Sequence, residues 1–249
     1  MKSNTFYGVE LKEPTKKEYD KYIKIWFDKY DNEFIGDFNH ELFLDIIFKD
    51  YNHSNKVVKD MLVKTVVLDK LYSLNIKYVD DLVKHLTQIN NLNERLKSGD
   101  PELVNEMKKV DLPNGKTINY LSFASKYCRR YNPEQYPIYD SIVKQILSHY
   151  NSKFHFYTDK INWSDYTCYK KVVDAFMKCY PFIENYVMLD HYLWAMGKEK
   201  LKGINFVKRF RKHKGDLGKL QDIAKDLNYK EKLCSENLEK FIIKQYDLV

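Results

Sequence analysis

The sequence predicts an all-α protein, a multi-helix bundle of two subdomains flanking a cleft, with a helical basic C-terminal extension. Three observations lead there. Apolar residues recur at i, i+3 and i+4 through most of the 249 residues, only 8 Gly and 6 Pro interrupt them, and several segments open on helix-capping side chains. A hydrophobic content of 44% is enough for a real core, which excludes a disordered chain. The expected organisation is an N-terminal arm over residues 1–13, a helical domain over 14–200 and the extension over 201–249.

The arm has no period. Thr15, with Glu18 three residues on, then forms a capping box before the stripe Tyr19, Tyr22, Ile23, Trp26, Phe27 and Tyr30. Aromatic stripes can stack on unpaired bases, but helical spacing assigns this one to packing. Asn39 is read as the cap of a helix through Leu42, Phe43, Ile46 and Ile47, and Ser54 as the cap of a longer one that ends in LYSLNI. Tyr78 to Ile89 is amphipathic, 90–99 is a polar connection with a short helical turn, and Asp100-Pro101 opens a helix with cap and N1 proline. DLPNGK at 111–116 is read as an interhelical turn, with a phosphate-facing hairpin as the alternative. Ser164 begins a helix, Pro181 separates it from the next, and Gly197 stops that one after Trp194. Trp194 is assigned to the core, with base or ligand stacking as the alternative. Two helices, 216–227 and 231–246, complete the extension.

Charge is distributed unevenly. Between Lys198 and Val249 there are 14 Lys and Arg against 8 Asp and Glu, so +6 of the chain's net +7 lies there, including Lys208, Arg209, Arg211 and Lys212. Such a segment attracts phosphate backbones or acidic partners. No apolar run reaches the ~18 residues of a membrane span and no signal-peptide core opens the chain, so the expected location is cytoplasmic. Cys128, Cys168, Cys179 and Cys234 have no metal spacing, and no Walker loop, dinucleotide fingerprint, His-Glu-x-x-His or Gly-x-Ser-x-Gly occurs. Neither a metal nor a cofactor is expected.

The chemistry concentrates in SFASKYCRRYNPEQYPIYDSIVKQIL, 122–147. Tyr120, Phe123, Ala124, Tyr127, Cys128 and Tyr131 mark a buried helix face, with Ser122, Lys126, Arg129 and Arg130 on the other flank. Pro133 and Pro137 impose a turn, and Asp140 opens the helix of Ile142, Val143, Ile146 and Leu147. A helix carrying one lysine, a Pro-x-x-x-Pro turn and a helix-opening aspartate together resemble the active-site segment of helix-hairpin-helix DNA glycosylases. The chain is similar, more closely, to a group of uncharacterised bacterial proteins sharing LYSLNI, FASKYC, NPEQYPIYDS and DHYLWAMGK. The first resemblance implies a glycosylase-like domain over 14–200 that binds double-stranded DNA with a flipped base and excises a damaged or modified base at the deoxyribose anomeric carbon. In it Lys126 would be the nucleophile of a bifunctional enzyme and Asp140 the carboxylate supporting positive charge or activating water. Asn75, at the end of LYSLNI, would fill the gap left by the base, and Arg129, Arg130, Lys144, Lys208, Arg209, Arg211 and Lys212 would contact DNA. The family's glycine hairpin has no counterpart directly before the lysine helix; Leu112 to Gly115 is the nearest turn. From the residues alone, Lys126, Arg129 and Arg130 are a solvated flank and Asp140 a helix cap. Two alternatives to the enzyme stand: a non-catalytic nucleic-acid-binding protein of the same fold, and a protein-interaction module whose basic tail meets an acidic partner.

Overall fold

The computed structural model describes residues 6–7, 9–30, 40–50, 57–229 and 235–248. The caps read at Asn39 and Ser54, and Cys234, lie outside them. Among the described residues the protein is helical apart from one small hairpin.

Several helices start on a side-chain cap. Helix α1, Lys16–Ile25, is capped by Thr15, whose Oγ1 accepts from Glu18 N at 3.2 Å, and it runs into a π-helical turn, Trp26–Tyr30. Helix α2, His40–Asp45, likewise passes into a π-helical turn, Ile46–Asp50. Helix α3, Val58–Tyr72, ends at Ser73, which takes the left-handed conformation at φ 50°. Then come α4, Val79–Thr87, α5, Leu92–Ser98, and α6, Pro101–Met107, capped by Asp100. DLPNGK closes a β-hairpin instead of linking helices: β1, Lys109–Asp111, pairs antiparallel with β2, Thr117–Asn119, Val110 opposite Ile118. Helices α7, Leu121–Tyr131, and α8, Ser141–Phe154, flank the proline turn. Asp165, one residue after the expected Ser164, caps α9, Tyr166–Cys179.

The last long helix corrects the reading of Gly197 as a stop. Helix α10 runs unbroken from Tyr186 to Lys212. A Cβ on Gly197 would stand 2.1 Å from Ile142 Cγ2, and one on Gly203 2.4 Å from Tyr246 Cβ. These glycines let other chain segments approach the α10 backbone, a use of a missing side chain that composition does not separate from a helix end. The boundary expected at residue 200 thus falls inside α10. Helices α11, Leu217–Asp226, and α12, Ser235–Gln245, follow.

One contiguous core spans Phe6 to Met196, so the expected two subdomains share a single core. The N-terminal segment joins it: Phe6 and Leu11 are buried, and Leu11 N donates to His149 Nε2 at 3.1 Å. A second core gathers Val207, Phe210, Ile223, Leu238, Ile242 and Tyr246 around the far end of α10. It is tied to the first through Asp247, which pairs with Lys21 at 2.5 Å and accepts from Lys200 through its carbonyl. Among the described residues no helix is long and apolar enough to cross a membrane.

Candidate functional site

A cavity of about 570 Å³ opens where α3, α7, α8 and α10 converge. Tyr72, Ser73 and Leu74 line it from the end of α3, Ser122 and Lys126 from α7, and Tyr139, Asp140 and Ile142 from the turn and α8. Asp190, Trp194 and Lys198 come from α10, and Trp26 from the π-helical turn after α1.

The proline turn that delivers Asp140 is fastened at successive residues. Tyr166 Oη donates to Pro137 O at 2.8 Å, Tyr169 Oη to Ile138 O at 2.7 Å, and Lys126 Nζ approaches Tyr139 O at 3.5 Å. Tyr139 N donates to Ser125 Oγ at 3.0 Å. Two buried tyrosines of α9 thereby satisfy carbonyls of a turn that lies outside both flanking helices. Asp140 Oδ1 then accepts from Ile142 N at 2.7 Å and Val143 N at 3.4 Å, the cap expected of it.

Lys126 is 5% exposed, not part of a solvated flank. Its Nζ donates to Ser122 Oγ at 2.8 Å and stands 5.3 Å from the centre of the Tyr72 ring. Burial holds the amine below the ordinary lysine range, against the opposing pull of the Asp140 and Asp190 carboxylates. A buried lysine of this kind is neutral more of the time than a surface one, as an amine nucleophile must be.

The other candidate positions separate. Arg129 and Arg130 are each 8% exposed, which corrects their assignment to an open flank. Arg130 donates to Tyr72 Oη and lies 3.8 Å from Asp45. Asn75 is exposed in the left-handed region at φ 57°, its amide donating to Ser73 O at 3.0 Å, and it does not line the cavity. Lys144 is half-buried on α8. Lys208, Arg209, Arg211 and Lys212 are exposed near the end of α10, where Arg209 pairs with Asp226 at 2.9 Å and Arg211 with Glu239 at 3.1 Å.

Tyr72, Tyr139, Asp190 and Lys198 line the cavity and carry no role in the sequence reading. Asp190, Trp194 and Lys198 recur at i, i+4 and i+8, so an acidic, aromatic and basic stripe on one helix face was the available signal. Lys198 Nζ lies 4.8 Å over the Trp194 ring, and Trp26 meets Trp194 edge-on at 5.3 Å while stacking on His191 at 4.1 Å. Trp194 therefore packs and lines the cavity at once.

Fold and site define a mostly helical protein with a buried amine and two carboxylates around one cavity. The HI_0787_N family model, described as an N-terminal domain, matches residues 18–135, a segment that includes Lys126 and ends before Asp140. An uncharacterized protein of Haemophilus influenzae is 36% identical over 179 residues, which span 69% of this chain and 81% of that protein. The chain belongs to the family of this Haemophilus protein. No solved structure matches it.

Proposed function

We propose that the protein is a DNA glycosylase-like enzyme that excises a damaged or modified base, with Lys126 and Asp140 as its catalytic pair. The observation that carries this reading is the cavity itself: a buried amine held below its ordinary pKa and a carboxylate fixed by backbone amides line one space large enough for a flipped nucleoside. In the lysine-dependent mechanism neutral Nζ attacks the anomeric carbon and the glycosidic C–N bond breaks. The base leaves with the electron pair, and its uptake of a proton is balanced by the proton that the amine sheds as the new C–N bond forms. The Asp140 carboxylate faces the positive charge that develops on the sugar, whether lysine or water attacks. Trp26 and Trp194 supply apolar wall, and the basic residues of the tail supply attraction for the phosphate backbone.

Base release and borohydride trapping on a panel of lesion-bearing duplexes test this. Asp140→Asn should abolish base release in either mechanism. Lys126→Gln should remove the trapped adduct and leave binding intact. Duplex binding with no release on any lesion would leave the second reading, a nucleic-acid-binding protein without catalysis. One observation favours that reading: the segment before the lysine helix is a β-hairpin, in place of the glycine hairpin of the resembled family. An absence of duplex binding at low salt would leave the protein-interaction module.

A further inference from the structure

Tyr72 is the last residue of α3, far in sequence from the catalytic segment, yet its ring and hydroxyl both belong to the surroundings of Lys126. Lys126 Nζ lies 5.3 Å from the ring centre, and the guanidinium carbon of Arg130 lies 5.8 Å from the same centre. Arg130 follows Lys126 by one helical turn and donates to Tyr72 Oη. Asp45 lies 3.8 Å from the same guanidinium, at its other terminal nitrogen.

We propose that Tyr72, held by Arg130, is a positioning residue for Lys126: its ring is the floor on which the amine rests, and the pull of the guanidinium on the phenol sets how strongly that floor favours the ammonium form. An aromatic face is electron-rich and attracts a cation. A hydrogen bond from a guanidinium to the phenol oxygen draws density out of the ring and weakens that attraction. Among the described residues, other groups around the amine include Asp140 at the start of α8, Asp190 and Lys198 on α10, the Tyr139 carbonyl and the Ser122 hydroxyl. Neither Tyr72→Phe nor Tyr72→Leu removes any of these groups. The two substitutions therefore act in opposite directions. Phenylalanine keeps the floor and removes the pull, so the ammonium form gains. Leucine removes the floor, so it loses.

The inference rests on Lys126 as an amine nucleophile, and its test reads that amine without DNA. Full-length protein is treated with formaldehyde and cyanoborohydride across a pH series, and methylation of Lys126 is followed by peptide mass spectrometry. The amine adds to the aldehyde carbon, water leaves, and hydride reduces the imine. The midpoint of the rate profile should rise in Tyr72→Phe and fall in Tyr72→Leu, each by up to about one pH unit. An unchanged midpoint in Tyr72→Phe, or shifts of one sign in both variants, would overturn the proposal. Circular dichroism checks folding, and if the leucine variant does not fold the phenylalanine result decides alone. A parallel borohydride trap on abasic duplex separates the two claims. Opposed midpoints without a DNA adduct in the wild type would leave Tyr72 as inferred and remove deoxyribose as the target of the amine.

Discussion

Lys126 illustrates how a single residue can be found in a sequence while its state is not. Its position between a buried face and a proline turn could be read directly, as could the capping role of Asp140, because both follow from local spacing. Its burial could not. The flank of Lys126, Arg129 and Arg130 is polar by sequence, and it is covered by groups from distant elements, Tyr72 of α3 and Asp45 of α2 among them. The linkage has a definite sign. Because burial lowers the pKa of Lys126 in the folded state, the unfolded chain binds more protons between that value and the ordinary lysine pKa, and stability rises with pH through this window. At neutral pH the lysine is therefore a cost to the fold. Lys126→Met should raise the melting temperature at pH 7, with the advantage shrinking as pH climbs toward the ordinary lysine range. Thermal melts across pH check this, and a destabilised variant at pH 7 would mark Lys126 as a structural amine.

At the level of elements, the helices were legible and their contacts were not. Thr15, Asp100 and Asp140 cap where local chemistry says they should. The β-hairpin was missed because two three-residue strands leave no periodicity to read. Gly197 was misread for a deeper reason: a glycine that ends a helix and one that lets a second helix approach look alike until the partner is known. Here the partner is α8, through Ile142 and Ile146. An added methyl at 2.1 Å from Ile142 Cγ2 meets an atom fixed near the α8 backbone, so α10 must move away from the helix that carries Asp140. Gly197→Ala should cost about 1–3 kcal/mol by overpacking. Ile142→Ala removes the colliding carbon, so the double variant should be destabilised by less than the sum of the two single variants. Urea denaturation of the four proteins measures the cycle, and simple additivity would mean that the collision is not the cause. The turn before α8 makes a matching case. Tyr169→Phe strips the donor from Ile138 O, and an unsatisfied buried carbonyl costs about 1–3 kcal/mol. That destabilisation should appear in the same denaturation measurement.

For the whole molecule, charge and core divide along α10. The first core ends at Met196, while the second begins at Val207 and holds α11 and α12 together. Composition located the basic excess correctly, but only the fold tells which charges are engaged: Arg209 and Arg211 pair with Asp226 and Glu239 inside the tail, whereas Lys208 and Lys212 are exposed beside them. Exposed pairs add little stability but do compete with a phosphate for the guanidinium. On the proposed DNA-binding reading, Lys208→Gln with Lys212→Gln should weaken duplex binding and reduce the slope of log affinity against log salt by about 0.9 for each phosphate left without its lysine. Arg209→Gln should change the slope less. Truncation before Ile204 is the harsher version of the same experiment. It removes 11 Lys and Arg with 7 Asp and Glu, leaving a net +3. It also removes Tyr246 from Gly203 and Asp247 from Lys21 and Lys200, so the body should keep its fold and melt at a lower temperature. Fluorescence anisotropy with a labelled duplex at several salt concentrations supplies the slopes. Equal slopes in the wild type and the double lysine variant would assign this face of α10 to a partner other than DNA.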